Sequence, residues 1–222
     1  MQITRKPLNE EKIEIEKYQF EIVQEFKYLG TVVTADNNMD REIRNRTFLA
    51  NRCYHSINNI LKSQYINLET KITLYKTLLR PILTYGSECW TLTKTNEERL
   101  RIFERKVLRK IFGPIHENGT WRIKYNNEIY SSFSDVDIVK HIKMSRLRWA
   151  GHIIRMEEDN PTRKLTLLKP EGSRRVGRPK LRWMDGIEED LRTIGTRAWR
   201  RRALDRDDWR KVLAAARAQT GL

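Results

Sequence analysis

At Asn38 the spacing of apolar residues changes from two to about 3.6, the helical period, and it stays helical from there on. Upstream of it Ile13 and Ile15, Phe20 and Ile22, then Phe26 and Tyr28 fall on alternate positions, and Thr31-Val32-Val33 is rich in β-branched residues. This pattern predicts two or three short strands, closed by a turn at Leu29-Gly30 or at Ala35-Asp36-Asn37-Asn38. So short a sheet is marginal by itself, so it is expected to complete a larger sheet whose other strands are missing here. Everything after residue 38 must bury apolar stripes of helices against each other, which makes the expected class mainly α.

The helices announce their ends. Ile43, Ala50, Cys53, Tyr54, Ile57, Ile60 and Leu61 line one face over residues 39–63, with Arg41, Arg44, Arg46 and Arg52 placed mostly off it. Asn67 is a good N-cap for a second helix carrying Leu68, Ile72, Tyr75, Leu78, Leu79, Ile82, Leu83 and Tyr85, with a kink expected at Pro81. The capping box Thr95-Asn96-Glu97-Glu98 opens a third, which buries Leu100, Phe103, Val107 and Ile111 and stops at Gly113-Pro114. Residues 116–132 are ambiguous. A helix then starts within 134–137 and runs through Ile138, Ile142, Trp149 and Ile153, and Asn160-Pro161 starts a short one through Leu168. Gly172 to Gly177 reads as a basic linker. Pro179 starts a helix through Ile187, Leu191 and Ile194 to Gly195, and residues 197–218 give one or two more, with Trp199, Leu204, Trp209 and Leu213 inward.

Charge is distributed unevenly. Residues 1–60 hold nine Lys and Arg against nine Asp and Glu, residues 61–170 hold 21 against 12, and residues 171–222 hold 14 against 8. The whole formal excess of +15 therefore follows residue 60. Such a field attracts polyanions and weakens with salt, so nucleic acid is the leading partner, ahead of an acidic membrane surface or acidic protein. Two cysteines, Cys53 and Cys89, argue against a disulfide-built secreted scaffold. No signal peptide and no bilayer-length apolar run is seen, so an intracellular chain, nuclear or cytoplasmic and without a membrane partner, is expected.

Two basic blocks are anchored by tryptophan: Arg146-Leu147-Arg148-Trp149-Ala150-Gly151-His152-Ile153-Ile154-Arg155-Met156 and Gly177-Arg178-Pro179-Lys180-Leu181-Arg182-Trp183-Met184-Asp185. Guanidinium groups beside an indole can hold phosphate while the ring packs on a core. Arg146, Arg148 and Arg155 are the expected phosphate contacts on one helix, and Arg174, Arg175, Arg178, Lys180 and Arg182 on the linker and the next. Lys and Arg at such places supply affinity without reading bases. Trp149 and Trp183 are read as packed in preference to stacked on bases. The run Arg174 to Lys180 is also a partial match to an AT-hook, whose upstream proline is absent, and a linker ending at a helix start is the preferred reading.

Phe26-Lys27-Tyr28-Leu29-Gly30, the stretch from Leu74-Tyr75-Lys76 to Arg80-Pro81-Ile82-Leu83-Thr84-Tyr85-Gly86-Ser87-Glu88-Cys89-Trp90, the two tryptophan blocks and Asp205-Arg206-Asp207-Asp208-Trp209-Arg210 follow one another in this order. Together they resemble the C-terminal part of the endonuclease/reverse transcriptase polyprotein of non-LTR retrotransposons, over roughly residues 15–215. The resemblance implies a short β-hairpin remnant of the palm at 1–37, a helical thumb at 38–115, a helical C-terminal extension at 116–170 and a basic linker with terminal helices at 171–222. It makes Lys27, Tyr28, Leu29 and Gly30 a primer grip, although an ordinary hairpin glycine is an equal reading of Gly30. The implied partners are RNA and DNA, as a template-primer duplex, and the upstream palm and fingers of the parent polyprotein. Tyr75, Tyr85 and Trp90 are expected as core anchors.

Polymerase chemistry needs carboxylates that hold Mg²⁺. In reverse transcriptases two come from an aromatic-x-Asp-Asp turn upstream of the primer grip, and no such turn precedes Phe26. The pair Asp207-Asp208 sits in an Arg-rich helical context and reads as helix N-terminal charge. A nuclease carboxylate set at Asp185, Glu188, Glu189 and Asp190 is disfavoured for the same reason, and the Cys and His residues show no zinc spacing. The expectation is a reverse transcriptase fragment that binds template-primer, carries no catalytic or metal residue and needs no cofactor in this chain, Mg²⁺ belonging to the parent enzyme. The alternatives are an enzyme completed by upstream coding sequence and a domesticated basic helical interaction protein.

Overall fold

The computed structural model describes residues 12–168 and 182–219. Most described residues are helical and the strands form short antiparallel pairs, as the periodicity requires. The chain divides after Tyr85 into two compact units. That division falls inside the stretch 38–115 expected as one thumb, at Gly86, whose φ of +70° suits a residue without a Cβ.

In the first unit β1 (Lys12–Ile15) pairs with β2 (Tyr18–Glu21), and β3 (Glu25–Tyr28) with β4 (Thr31–Thr34), Phe26 facing Val33 and Tyr28 facing Thr31. Leu29 and Gly30 join β3 to β4 with φ of +47° and +82°, a two-residue turn whose twist matches that of the strands. Asn38 then caps α1 (Met39–Lys62), its side chain accepting from the Asp40 amide at 2.9 Å. Asn67 caps α2 (Leu68–Leu74) in the same way, through the Thr70 amide at 2.8 Å.

The proline effect lies one turn upstream of Pro81. Residues Tyr75–Leu79 form a wide π turn before α3 (Arg80–Thr84), because Pro81 has no N–H to donate and its ring crowds the preceding turn. Ile43, Ala50, Tyr54 and Leu61 of α1, with Tyr75, Leu79 and Leu83, are buried where α1 packs on the π turn and α3.

The second unit opens with a 3₁₀ turn, Ser87–Cys89, and α4 (Lys94–Phe112). Its cap is Thr93, which accepts from the Asn96 amide at 3.3 Å, so the helix begins ahead of the Thr95 box expected from sequence. Leu100, Phe103, Val107 and Ile111 are buried as expected, and Gly113 ends the helix at φ +67°. The ambiguous stretch resolves into β5 (Ile115–Glu117), a turn at Asn118-Gly119, β6 (Thr120–Arg122) and α5 (Asn126–Phe133). Glu128 reaches back to the Tyr125 amide at 2.6 Å and is gripped by Arg122 at 2.7 and 2.9 Å.

The centre of this unit is α6 (Ile138–Arg155), against which α4, α7 (Pro161–Leu167), α8 (Trp183–Thr193), α9 (Trp199–Leu204) and α10 (Arg206–Ala218) pack. Two carboxylates satisfy its N-terminus: Asp137 accepts from the Lys140 amide at 2.7 Å, and Glu104, fully buried, accepts from the Ile138 amide at 2.9 Å. The core joins Leu147, Ala150 and Ile154 to Ile187, Leu191, Trp199, Trp209 and Val212. Trp209 lies so close to α6 that a Cβ on Gly151 would meet its Nε1 at 2.1 Å, and that N–H donates to the Leu147 carbonyl at 3.2 Å. Leu204, expected inward, is 59 % exposed at the end of α9, where the short helix turns its last residue out.

Candidate nucleic-acid interface

The β3–β4 turn is held from below by α1. Glu42, with no exposed surface, accepts from the Val32 amide at 2.7 Å and from Arg46 Nε at 2.5 Å. Arg46 Nη2 donates to the Gly30 carbonyl at 2.6 Å. The Tyr85 hydroxyl donates to the Leu29 carbonyl at 3.1 Å, and the Arg46 guanidinium stacks over the Tyr85 ring at 4.4 Å. Both turn carbonyls are therefore occupied from within the unit, while Lys27, Tyr28 and Leu29 face solvent and Gly30 is half-buried. A ligand reaching this turn meets side chains of β3 and backbone amides.

Two expectations are corrected at this place. Arg46 belongs to the interior and not to the solvated face of α1, since it lies three residues after Ile43 and four before Ala50, in phase with the buried stripe. That spacing, and a glutamate four residues earlier, were the available signal. Tyr85 is no core anchor: 49 % exposed, it clamps the hairpin turn, whereas Tyr75 and Trp90 are buried as expected.

On α6 the basic block splits. Arg146 is 2 % exposed, with Nη1 3.4 Å from Asp190 Oδ2 and Nη2 donating to the Trp183 carbonyl at 3.3 Å. A Cβ on Gly186 would stand 2.5 Å from Nη2, so α8 can pass over this guanidinium only with glycine there. Lys143 completes the network, 3.2 Å from Asp190 Oδ1 and 3.5 Å from Glu97 Oε1. Burial pushes the Arg146 guanidinium down and the Asp190 carboxyl up from their ordinary ranges, against the attraction between them. Arg146 is thus removed from the expected phosphate contacts. It continues the stripe Ile138, Ile142, Ala150 at four-residue spacing, which puts it on the packed face.

Arg148, two residues on, is exposed, with Nη1 3.4 Å from Ser145 Oγ. Arg155 is half-buried and donates to the Ala203 carbonyl at 2.7 Å; partial burial, with the Arg206 charge beside it, lowers its affinity for the proton. Arg182 is exposed at the start of α8. Arg174, Arg175, Arg178 and Lys180 lie outside the described residues, as do the AT-hook-like run and the helix start expected at Pro179. The exposed cations Arg197, Arg200 and Arg201 around the start of α9 were not singled out from sequence, although the Arg-rich run around Trp199 displays them openly.

Asp207 and Asp208 occupy the first turn of α10, whose cap Asp205 accepts from both their amides, at 2.7 and 3.0 Å. Asp208 is bound by Arg202 at 2.8 and 2.9 Å, which holds its carboxyl below the usual range. These are the helix N-terminal charges the sequence indicated. Among the described residues no cluster of His, Cys, Asp and Glu has the makings of a metal site, and no helix is long and apolar enough to cross a membrane.

Comparison with known proteins finds one informative likeness. Over 201 residues the chain is 29 % identical to a protein of Caenorhabditis elegans whose name describes it as uncharacterized and transposon-derived, a match spanning 88 % of this chain and 72 % of that one. The likeness is consistent with a transposable-element origin. No protein-family model matches the chain. No solved structure matches it either.

Proposed function

We propose that this chain is a thumb and C-terminal extension from a non-LTR retrotransposon reverse transcriptase, and that its own activity is sequence-tolerant binding of a template-primer duplex. The observation that carries the reading is the ordered set of blocks, from the Phe26–Gly30 turn to the Asp205–Arg210 helix start, in a chain whose entire +15 excess follows residue 60. Similarity to a transposon-derived protein supports the origin. The exposure of Arg148 and Arg182 beside two buried indole-bearing cores supports the binding. Arg155, with Arg206 near it, adds positive charge that a phosphate would relieve. Lys27 and Tyr28 offer the hairpin's contact surface, held rigid by Arg46 and Tyr85 beneath the turn. The duplex is bound through its phosphates, and the aspartate pair of α10 serves the helix and not a nucleotide.

Filter binding of a primer-template duplex over rising salt tests this. The logarithm of the binding constant should fall linearly with the logarithm of salt, by about 0.9 per phosphate neutralised. Arg148→Ala and Arg182→Ala should each lower that slope by about one. A flat dependence on salt would discard the proposal.

A further inference from the structure

The second unit contains a cavity of about 680 Å³ that the duplex reading does not use. Its volume lies within the range of sites that hold a small organic ligand. Its walls are chemically mixed in an unusual way for a packing defect. Trp149 of α6 and Trp183 of α8 contribute indoles, and Leu165 of α7 contributes an aliphatic wall. Trp183 is fixed in place, since its Nε1 donates to the Glu88 carbonyl at 2.7 Å, and its N–H is thereby spent inside the fold. What such a ring retains for a ligand is its π face.

The polar part of the lining carries both signs. Arg182 and Arg200 stand with Asp185 and Glu188, and Arg200 Nη2 lies 2.7 Å from Glu188 Oε1. An acyl chain has no use for these four charges. An acidic peptide would be attracted by two and repelled by the other two. A nucleotide matches each kind: a flat base for the indoles, a phosphate for the guanidiniums, and an exocyclic amino group for the carboxylates, as glutamate and aspartate accept from the N4 amino group of cytosine. Uracil and thymine present carbonyl oxygens on that edge and would face the carboxylates unfavourably.

We propose that this cavity is a subsite for one unstacked nucleotide with an amino-bearing base, the base against Trp149 and Trp183, its amino edge on Asp185 and Glu188 and its phosphate on Arg182 and Arg200. The subsite deepens the nucleic-acid reading and rests on it. It would receive a base that has left the duplex, at an end or a bulge, where stacking on an aromatic side chain replaces stacking on a neighbour. The indoles are then both packed, through their edges, and available, through their faces.

Cys89 lines the same cavity and supplies the reporter. Its thiol is held protonated by burial and by Glu88, so alkylation at alkaline pH is slow enough to follow, and mass spectrometry distinguishes it from Cys53 in the first unit. With the full chain, adenosine monophosphate should slow Cys89 alkylation in proportion to 1 + [L]/Kd and leave Cys53 unaffected. Uridine monophosphate should protect more weakly, and Glu188→Gln, a change at a partly exposed side chain, should remove the difference between the two. Equal protection by ribose 5-phosphate would overturn the base subsite, as would stronger protection by an apolar peptide. Absence of protection by either nucleotide would overturn it also. The salt slope of duplex binding, measured on the same preparation, shows whether the wider reading falls with it.

Discussion

Arg146 and Arg148 are separated by one residue and differ in almost everything else. Arg146 is enclosed between α6 and α8 with Asp190 and the Trp183 carbonyl, whereas Arg148 is exposed to water. Removing one partner of a buried ion pair leaves the other uncompensated, at a typical cost of about 3 kcal/mol or more. Arg146→Met should therefore lower the urea midpoint by that amount and leave the salt slope of duplex binding unchanged. A change in slope with stability intact would return Arg146 to the binding surface. Gly151 is constrained from the opposite direction. Because any Cβ there would lie 2.1 Å from Trp209 Nε1, Gly151→Ala must push α10 off α6, and a loss of about 3 kcal/mol or more is expected in the same titration.

The small β5–β6 and α5 module depends on a single carboxylate. Glu128 accepts from Arg122 and from the Tyr125 amide, and these bonds hold its pKa at about 2, below an ordinary value of 4.5. A folded value below the unfolded one means that the stabilisation is present above pH 4.5 and is lost as pH falls from there towards about 2. Titration of the Glu128 side-chain resonance should give a midpoint near the lower value, and one near the ordinary value would refute the grip. Elements of this kind were not legible in sequence. Residues 116–132 hold too few apolar positions for either period to emerge, and Asn118-Gly119 was the one firm turn signal. The long helices were legible because Asn38, Asn67, Asn160 and Gly113 act locally, through their own side chains or their own φ. The fates of Arg46, Arg146 and Tyr85 were not read correctly from residue type, since charge and aromaticity suggest surface and core respectively. Helical phase already placed the two arginines inside. For Tyr85 only the tertiary contact with the Leu29 carbonyl decides the matter.

Each of the two units closes its own core, α1 with the π turn and α3 in one, α6 with the helices that surround it in the other. Residues 86–222 produced alone should accordingly unfold cooperatively in urea with the emission of enclosed indoles in the native state. A broad, sloping transition would show that the second core needs the first unit. Within that core the order of synthesis matters. The backbone of α6 is bared at Gly151 and is covered only when Trp209, 58 positions later, swings in. A premature stop codon anywhere between them would release a polypeptide with an open slot along its central rod and a wet, sticky flank. Loss of a few codons near the 3′ end should thus bring on clumping and proteolytic clearance more readily than a comparable loss at the start of the reading frame.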